Sequence, residues 1–165
     1  MREIGSIPLL TGECRHPEAM TLSGASLRPA TYPAVAMLLV HPHEGPILFD
    51  TGYDPAFLTA TQPFPERFYR WVTPVKLAPG QSAAAQCAAL GYPPEEVRHL
   101  ILSHFHADHI AGTHAFPNAQ IHCARAGLEE AHKGGRIAAT RRGVLRSLIP
   151  PDFASRASFF EDRPA

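Results

Sequence analysis

His104-Phe105-His106-Ala107-Asp108-His109 lies near the middle of this chain of 165 residues and brings three histidines and one aspartate together. Imidazole nitrogens and carboxylate oxygens are ligands that borderline divalent metals such as zinc prefer. The residues directly before this stretch predict a short buried strand, and side chains two apart in an extended chain share a face. His104 and His106 are therefore expected to point the same way, while Asp108 and His109 come from the following turn. The sequence predicts a metal site; a histidine-rich loop without metal is the alternative.

The longer stretch Ser103 to Gly112 resembles the signature of the metallo-β-lactamase superfamily, whose pattern is His-x-His-x-Asp-His after a buried strand. The resemblance implies an α/β fold of the αββα sandwich type, with a mixed sheet and flanking helices. It also implies two zinc ions or similar divalent metals, the first bound by His104 and His106 and the second by Asp108 and His109. Asp108 is further implied to be catalytic, in a reaction in which a metal-bound hydroxide attacks a carbonyl or phosphoryl centre.

Asp50 is the second expected site residue, and it is followed by Thr51 and Gly52 at the end of a predicted strand. Such a sequence ends a strand well without any catalytic role, because Asp accepts backbone donors in a turn and Gly permits a sharp bend. In the family that the histidine stretch resembles, the Asp of a similar Asp-Thr-Gly lies beneath the metals and orders the ligand loop. The resemblance therefore implies that Asp50 holds metal ligands in place.

The remaining segments predict a loop-rich α/β protein. Residues 1–34 read as irregular strands and turns. Continuous apolar residues at 34–40 predict a strand that is covered on both faces. The segment 53–79 is rich in aromatic residues and proline, and we expect a hydrophobic flap or subunit contact there, with an apolar wall over the substrate as the alternative. Further strands are predicted at 47–50, 98–103 and 119–123, and helices at 81–90, 126–133 and 137–148.

Length and composition indicate one domain, residues 1–165, that is long enough to form a substantial core. Fifteen basic and fifteen acidic residues cancel, so no net field favours nucleic acid or an anionic membrane. The N-terminus lacks the apolar run of a signal peptide, and no stretch is long and apolar enough for a membrane span. The three cysteines form no Cys-x-x-Cys pair. These features predict a cytoplasmic protein with reduced thiols.

The chain lacks some ligands that the resemblance would require. No histidine follows His132, although members of the resembled family supply a later histidine, a bridging acid and a last histidine. The resemblance therefore covers the N-terminal half of the expected fold, and we expect a domain truncated before those motifs. A lone half would expose a sheet face or an edge, which predicts a homo-oligomer formed through that surface.

The function that the resemblance implies is metal-dependent hydrolysis of a small-molecule substrate, in the lactonase-like branch of the family. A homoserine-lactone-type lactone or another carboxylic ester is the expected substrate. A thioester hydrolase similar to glyoxalase II and a phosphodiesterase of the same fold are the alternatives within the family. The alternative of another class is a non-catalytic fragment with an incomplete metal site. The sequence identifies no substrate-binding residues.

Overall fold

The computed structural model describes residues 4–162, so the first three residues of the predicted segment 1–34 and the last three of the predicted domain 1–165 lie outside the described residues. Its strands are β1 (Gly5–Pro17), β2 (Pro29–His41), β3 (Gly45–Phe49), β4 (Val75–Lys76), β5 (His99–Ile101), β6 (Gln120–Cys123) and β7 (Ala157–Phe159). Its α-helices are α1 (Pro55–Ala60), α2 (Glu66–Val72), α3 (Ala83–Ala89), α4 (Ala107–Ile110), α5 (Arg125–His132), α6 (Arg136–Arg141) and α7 (Phe153–Arg156). Short 3-10 helices occur at Glu18–Met20, Pro94–Glu96, Thr113–Ala115, Arg146–Leu148 and Phe160–Asp162.

The strands form one mixed sheet in the order β4-β1-β2-β3-β5-β6-β7. Neighbouring strands from β4 to β3 are antiparallel, and those from β3 to β7 are parallel. The parallel part carries helical connections, as parallel strands require. The predicted α/β class with a mixed sheet and flanking helices is confirmed.

One face of the sheet forms the core. Leu38, Leu48, Leu100 and Ile121 make a register row across β2, β3, β5 and β6, and each is 0% exposed. They belong to one hydrophobic cluster with Phe57 of α1. Burial of such a side chain contributes roughly 1.5–3 kcal/mol, so this row anchors the strands that carry the expected site.

The opposite face of the sheet is open at β1, β2 and β3. Leu10, Val35 and Phe49 are 57%, 42% and 39% exposed, and the side chains of β2 alternate between buried and partly exposed positions. The prediction that residues 34–40 are covered on both faces is therefore wrong. A continuous apolar run indicates two covered faces only where a second layer is present, and within residues 4–162 this face stays exposed at Leu10, Val35 and Phe49. Self-association through the open face stays a prediction.

The N-terminal segment is more regular than predicted. Residues 1–34 contain β1, which is thirteen residues long and pairs with β2. The pairing register shifts between Leu10 and Glu13, and Gly12 within this shift has a φ of 98°. Glycine adopts this backbone conformation without steric cost, so the strand bends here and continues to its second half.

The aromatic segment 53–79 contains α1, α2 and β4 rather than a loop. Asp54 caps α1, because its carboxylate accepts a hydrogen bond of 2.9 Å from the backbone N–H of Ala56. Pro55 occupies the first helical position, where proline is tolerated. The predicted helix at 137–148 is also interrupted: α6 ends at Arg141, and Gly143 follows with a φ of 79°.

Within residues 4–162 there is no helix of the length and apolar character needed to cross a bilayer. The predicted cytoplasmic location stays a prediction.

Candidate metal centre

The histidine stretch lies at the carboxyl ends of parallel strands. β5 ends at Ile101, and the chain then passes through residues 102–106 into α4. Asp50 directly follows β3, the parallel neighbour of β5, and its backbone N–H donates to the carbonyl of Ile101 at 2.8 Å. Parallel strands deliver their following loops to the same sheet edge, which is where α/β proteins bind ligands. This topology brings the two predicted parts of the site together.

The four predicted metal ligands are neighbours at this edge. The ring centroid of His104 lies 4.5 Å from that of His106 and 3.9 Å from that of His109. Nε2 of His109 lies 3.4 Å from Oδ2 of Asp108. Within residues 4–162, however, no three or more His, Cys, Asp or Glu side chains are arranged to hold a metal ion. The donor types fit zinc, whereas the donors do not close a four-ligand shell.

Asp50 connects the strand end to the histidine loop. Its Oδ1 accepts a hydrogen bond of 2.9 Å from the backbone N–H of Ser103, and its Oδ2 accepts one of 2.7 Å from the Ser103 hydroxyl. Nδ1 of His109 lies 2.8 Å from Oδ2 of Asp50. With only 3% of its surface exposed, this carboxylate retains the Nδ1 proton of His109 and directs Nε2 of the same ring toward Asp108.

The three imidazoles differ in protonation. Burial lowers the pKa of His104 and of His106 below the usual value of 6.5, so both are neutral near pH 7 and have a free lone pair. Burial also lowers the pKa of His109, but hydrogen bonds to Asp108 and Asp50 outweigh it and raise the pKa to about 9. For Asp108, burial raises the pKa, but the hydrogen bond and charge of His109 outweigh it and lower the pKa. His109 therefore has to lose a proton before it can bind a metal.

Thr51 and Gly52 connect the end of β3 to neighbouring elements through contacts that the sequence did not predict. The Thr51 hydroxyl donates to the carbonyl of His109 at 2.8 Å and accepts from the backbone N–H of Gly112 at 3.0 Å. Gly52 has a φ of 63°, and a Cβ at this position would lie 1.7 Å from Oγ1 of Thr11. Thr51 thus holds the C-terminal end of α4 against the sheet.

A cavity of about 400 Å³ opens beside the site, within the range of small-molecule pockets. His106 and Asp108 line one side of it, and Cys14, Tyr53 and Tyr69 line another. Burial raises the pKa of both tyrosines above the usual value of 10, so their hydroxyls remain hydrogen-bond donors. Tyr53 and Tyr69 belong to the segment 53–79, for which an apolar wall over the substrate was the alternative prediction, whereas nothing in the sequence indicated Cys14 as a lining residue.

A second unpredicted support lies behind His106. The carbonyl of Gly143 accepts a hydrogen bond of 3.0 Å from the backbone N–H of Ala107. A Cβ at Gly143 would lie 3.4 Å from Cδ2 of His106. The turn after α6 therefore approaches the histidine loop closely and leaves little room for the His106 ring to move away from the cavity.

The comparisons with known proteins agree with this geometry. Residues 30–163 match the family model of the metallo-beta-lactamase superfamily. A probable metallo-hydrolase of Mycobacterium tuberculosis is 36% identical over 90 residues, which are 54% of this chain and 28% of that protein. The N-acyl homoserine lactonase of Bacillus cereus is 33% identical over 93 residues, which are 56% of this chain and 37% of that enzyme. The chain thus spans well under half the length of these curated relatives.

Solved structures show the same fold. An N-acyl homoserine lactone hydrolase, with the product N-hexanoyl-L-homoserine bound at its catalytic metal center, superposes with a TM-score of 0.76 at 23% identity, over 94% of this chain and 58% of that chain. AidC, a dizinc quorum-quenching lactonase, superposes with a TM-score of 0.66 at 14% identity, over 99% of this chain and 60% of that chain. The family match covers most of the sequence, and the chain belongs to the metallo-beta-lactamase superfamily.

Proposed function

We propose that this chain contributes the N-terminal part of the active site of a metal-dependent hydrolase that opens a lactone or another carboxylic ester. The observation that carries the proposal is the network of Asp50, Ser103 and His109 at the sheet edge, beside a cavity lined by His106 and Asp108. The similarity to an N-acyl homoserine lactonase supports a lactone as the substrate. A cavity of about 400 Å³ suits a small molecule of this kind.

In this proposal His104 and His106 bind one zinc ion, and Asp108 and His109 bind a second; other divalent metals are alternatives to zinc. Bound zinc would supply a Lewis acid for the ester carbonyl and would lower the pKa of water. Asp50 holds the Nδ1 proton of His109 and thereby keeps Nε2 as the atom available to a metal. Asp108 serves as the catalytic carboxylate, because it borders both His109 and the cavity.

Each proposed pair leaves a zinc ion short of its usual four ligands. Further donors must therefore come from water, from another chain or from a segment beyond the four residues. The relatives are longer than this chain, and we propose that residues 1–165 form part of a longer domain that supplies the later ligands.

A non-catalytic domain with an incomplete metal site is the second candidate. It is favoured by the finding that no three donor side chains within residues 4–162 are arranged around one ion. In that case the histidine stretch binds metal weakly, and no reaction is catalysed in the cavity.

Metal content distinguishes the two candidates. The purified chain is dialysed against zinc and then against metal-free buffer, and its zinc is measured by elemental analysis beside two variants. Because each pair needs further donors, we expect the chain to retain fewer than two ions, which His106→Ala should lose and which His132→Ala should keep, because His132 lies on the exposed end of α5. Zinc near zero in all three proteins, with no hydrolysis, would support the non-catalytic candidate and contradict the proposal for this chain.

A substrate panel then tests the reaction. We expect the zinc-loaded protein to hydrolyse N-hexanoyl homoserine lactone faster than a thioester or a phosphodiester. Preference for S-lactoylglutathione or for bis(p-nitrophenyl) phosphate would contradict the lactone assignment while leaving the metal assignment intact.

A further inference from the structure

The turn that follows α6 is bound to the end of α5 through the side chain of Arg142. Nη2 of Arg142 donates hydrogen bonds of 3.2 and 2.7 Å to the carbonyls of Glu130 and Lys133, and its Nε lies 3.3 Å from Oε1 of Glu130. The last carbonyls of a helix have no partner within the helix, and basic side chains both satisfy them and interact favourably with the helix dipole. The side chain of Arg142 therefore fixes the turn to α5.

The backbone of the same turn faces the histidine loop. The carbonyl of Gly143 accepts a hydrogen bond of 3.0 Å from the backbone N–H of Ala107, the residue after His106. Burial lowers the pKa of His106, and a hydrogen bond between its ring and the backbone of Arg142 opposes this effect. The protonated ring has donors only, and the N–H of Arg142 already donates to the carbonyl of Ala139 at 2.9 Å. The Arg142 carbonyl is therefore the acceptor of the ring proton.

The nitrogen of His106 on the side of this turn is Nε2. A Cβ at Gly143 would lie 3.4 Å from Cδ2, 3.6 Å from Cγ and 3.7 Å from Nε2 of the His106 ring, whereas Nδ1 is farther from it. Because the Arg142 carbonyl carbon is bonded to Gly143, this carbonyl approaches the same edge of the ring. A neutral imidazole carries one proton. If Nε2 donates that proton to Arg142, Nδ1 keeps the free lone pair.

Packing alone does not fix the His106 ring, because it lies between two cavities. It lines the cavity of about 400 Å³ beside Asp108, and it also lines a second cavity of about 170 Å³ with His104, Glu130 and Arg142. A ring that borders open space on two sides needs a directional hydrogen bond to keep one orientation. The second cavity has room for several water molecules, which occupy about 30 Å³ each in the liquid. Water there competes for the ring proton wherever the protein acceptor is displaced.

We propose that Arg142 is a positioning residue for His106. Its side chain anchors the turn to α5, and its carbonyl accepts the Nε2 proton of His106, which leaves the Nδ1 lone pair free. Hydrogen bonds to the second ring nitrogen orient histidine ligands in metal sites, and Asp50 makes such a contact with His109. The orientation of the ring concerns the protein without metal, whereas its consequence for zinc rests on the proposed function.

The alternative is that Arg142 serves only to stabilise α5. Arg146 offers a matched control, because it binds the same helix end, through the carbonyls of Ala131, Lys133 and Gly134. Arg146 lines a different cavity, beside α1, whereas Arg142 lines both cavities that border His106. Loss of either arginine should therefore weaken the end of α5, but only loss of Arg142 should affect His106.

Nitrogen-15 NMR of the histidine rings in the metal-free full chain tests the proposal. At a pH of about 8 His106 is neutral, because its pKa is lowered, and its signals are assigned by their absence from the spectrum of His106→Ala. We expect a single Nε2–H tautomer whose proton exchanges slowly with water. Arg142→Gln should speed this exchange about fivefold, which corresponds to the loss of a hydrogen bond of about 1 kcal/mol. Arg146→Gln should leave it unchanged.

Zinc affinity gives the consequence for the metal. In competition with a chromophoric chelator, Arg142→Gln should bind zinc about tenfold more weakly than the wild type, at the lower end of the range for residues that orient a ligand. Arg146→Gln should bind zinc as the wild type does, although urea unfolding should show a comparable loss of stability in both variants. If the wild type binds no zinc, the proposed function fails, while the NMR result still decides whether Arg142 positions His106.

Three results would overturn the proposal. His106 could carry its proton on Nδ1, its Nε2 proton could exchange equally fast in the wild type and in Arg142→Gln, or Arg146→Gln could speed that exchange as much as Arg142→Gln does. The last result would mean that the stability of α5 holds the ring and that Arg142 has no special part in it. If circular dichroism shows that Arg142→Gln does not fold, the milder pair Arg142→Lys and Arg146→Lys is compared by the same measurement.

Discussion

Replacement of Asp50 by asparagine should change which ring nitrogen of His109 carries the proton, while the fold is retained. In the wild-type protein the Asp50 carboxylate accepts hydrogen bonds from the Ser103 backbone and hydroxyl at 2.9 and 2.7 Å, and lies 2.8 Å from Nδ1 of His109. An asparagine amide keeps one acceptor for Ser103 and presents N–H groups to the other two partners. His109 must then accept through Nδ1 and carry its proton on Nε2, the nitrogen that faces Asp108.

The magnitudes follow from the change of bond type. A hydrogen bond to a charged group contributes about 1.5–3 kcal/mol and a neutral one about 0.5–1.5 kcal/mol, so Asp50→Asn should lower the free energy of unfolding by about 1–2 kcal/mol near pH 7. The φ of 57° at this position adds little strain, because asparagine tolerates the left-handed region. Loss of a residue that orients a metal ligand typically costs about 10–100-fold in metal affinity, and we expect a decrease of that size for zinc.

Three measurements check the Asp50 prediction. Urea unfolding gives the stability change, competition with a chromophoric chelator gives zinc affinity, and nitrogen-15 NMR of the His109 ring gives its tautomer above the pKa of about 9. The matched control is Ser103→Ala, which removes one donor to Asp50 but leaves the carboxylate beside His109. If Asp50→Asn retains the Nδ1–H tautomer and the zinc affinity of the wild type, while Ser103→Ala does not differ from it, the orienting role of Asp50 is refuted.

Two further predictions concern stability. Gly52→Ala should lower the free energy of unfolding by at least about 3 kcal/mol, because its Cβ would lie 1.7 Å from Thr11 Oγ1. The control Gly24→Ala has nothing within 4 Å of its Cβ, so its free energy of unfolding should fall only by the cost of an alanine at a φ of 80°. Equal urea midpoints for the two variants would contradict this prediction. The pKa of His109 is about 9 in the folded protein, against 6.5 for an unperturbed histidine. The protonated ring therefore stabilises the fold fully below pH 6.5, and this contribution, up to about 3 kcal/mol, is lost as the pH rises through 9. A free energy of unfolding that rises over this interval would be inconsistent with the protonated ring.

The proximity of the four candidate ligands could be predicted because these residues are adjacent in sequence and their geometry is local. His104 and His106 closely follow the end of β5, and this placement needs no knowledge of the rest of the fold. The bonds that hold the cluster could not be predicted in the same way. Ser103 reaches Asp50 across 53 residues, and Thr51 reaches His109 across 58. Such pairings depend on which strands are neighbours in the sheet. A single sequence indicates the order of the strands only through its resemblance to a known family.

Elements of the fold could be predicted where they are long or have a strong hydrophobic pattern. They could not be predicted where tertiary contacts determine whether a helix or strand forms. α1 and α2 have six and seven residues, which is too short for helices to form from local propensity alone. Their stability comes from packing, as Phe57 and Glu66 show by being 0% and 5% exposed. The prediction that β2 is covered on both faces was wrong for a different reason. Its residues are hydrophobic, but hydrophobicity alone does not show how many layers cover a strand.

The same carboxylates that hold the candidate centre together also oppose metal binding at neutral pH. Asp50 and Asp108 raise the pKa of His109 to about 9, while burial keeps His104 and His106 neutral. The cluster without metal therefore contains one cationic imidazole between two carboxylates, which leaves one net negative charge. An arriving cation must displace that proton, so metal affinity rises with pH over the interval in which the stability contributed by His109 falls. Proton and metal are alternative counter-charges for the same two carboxylates, and this accounts for a histidine loop that stays ordered without a closed coordination shell.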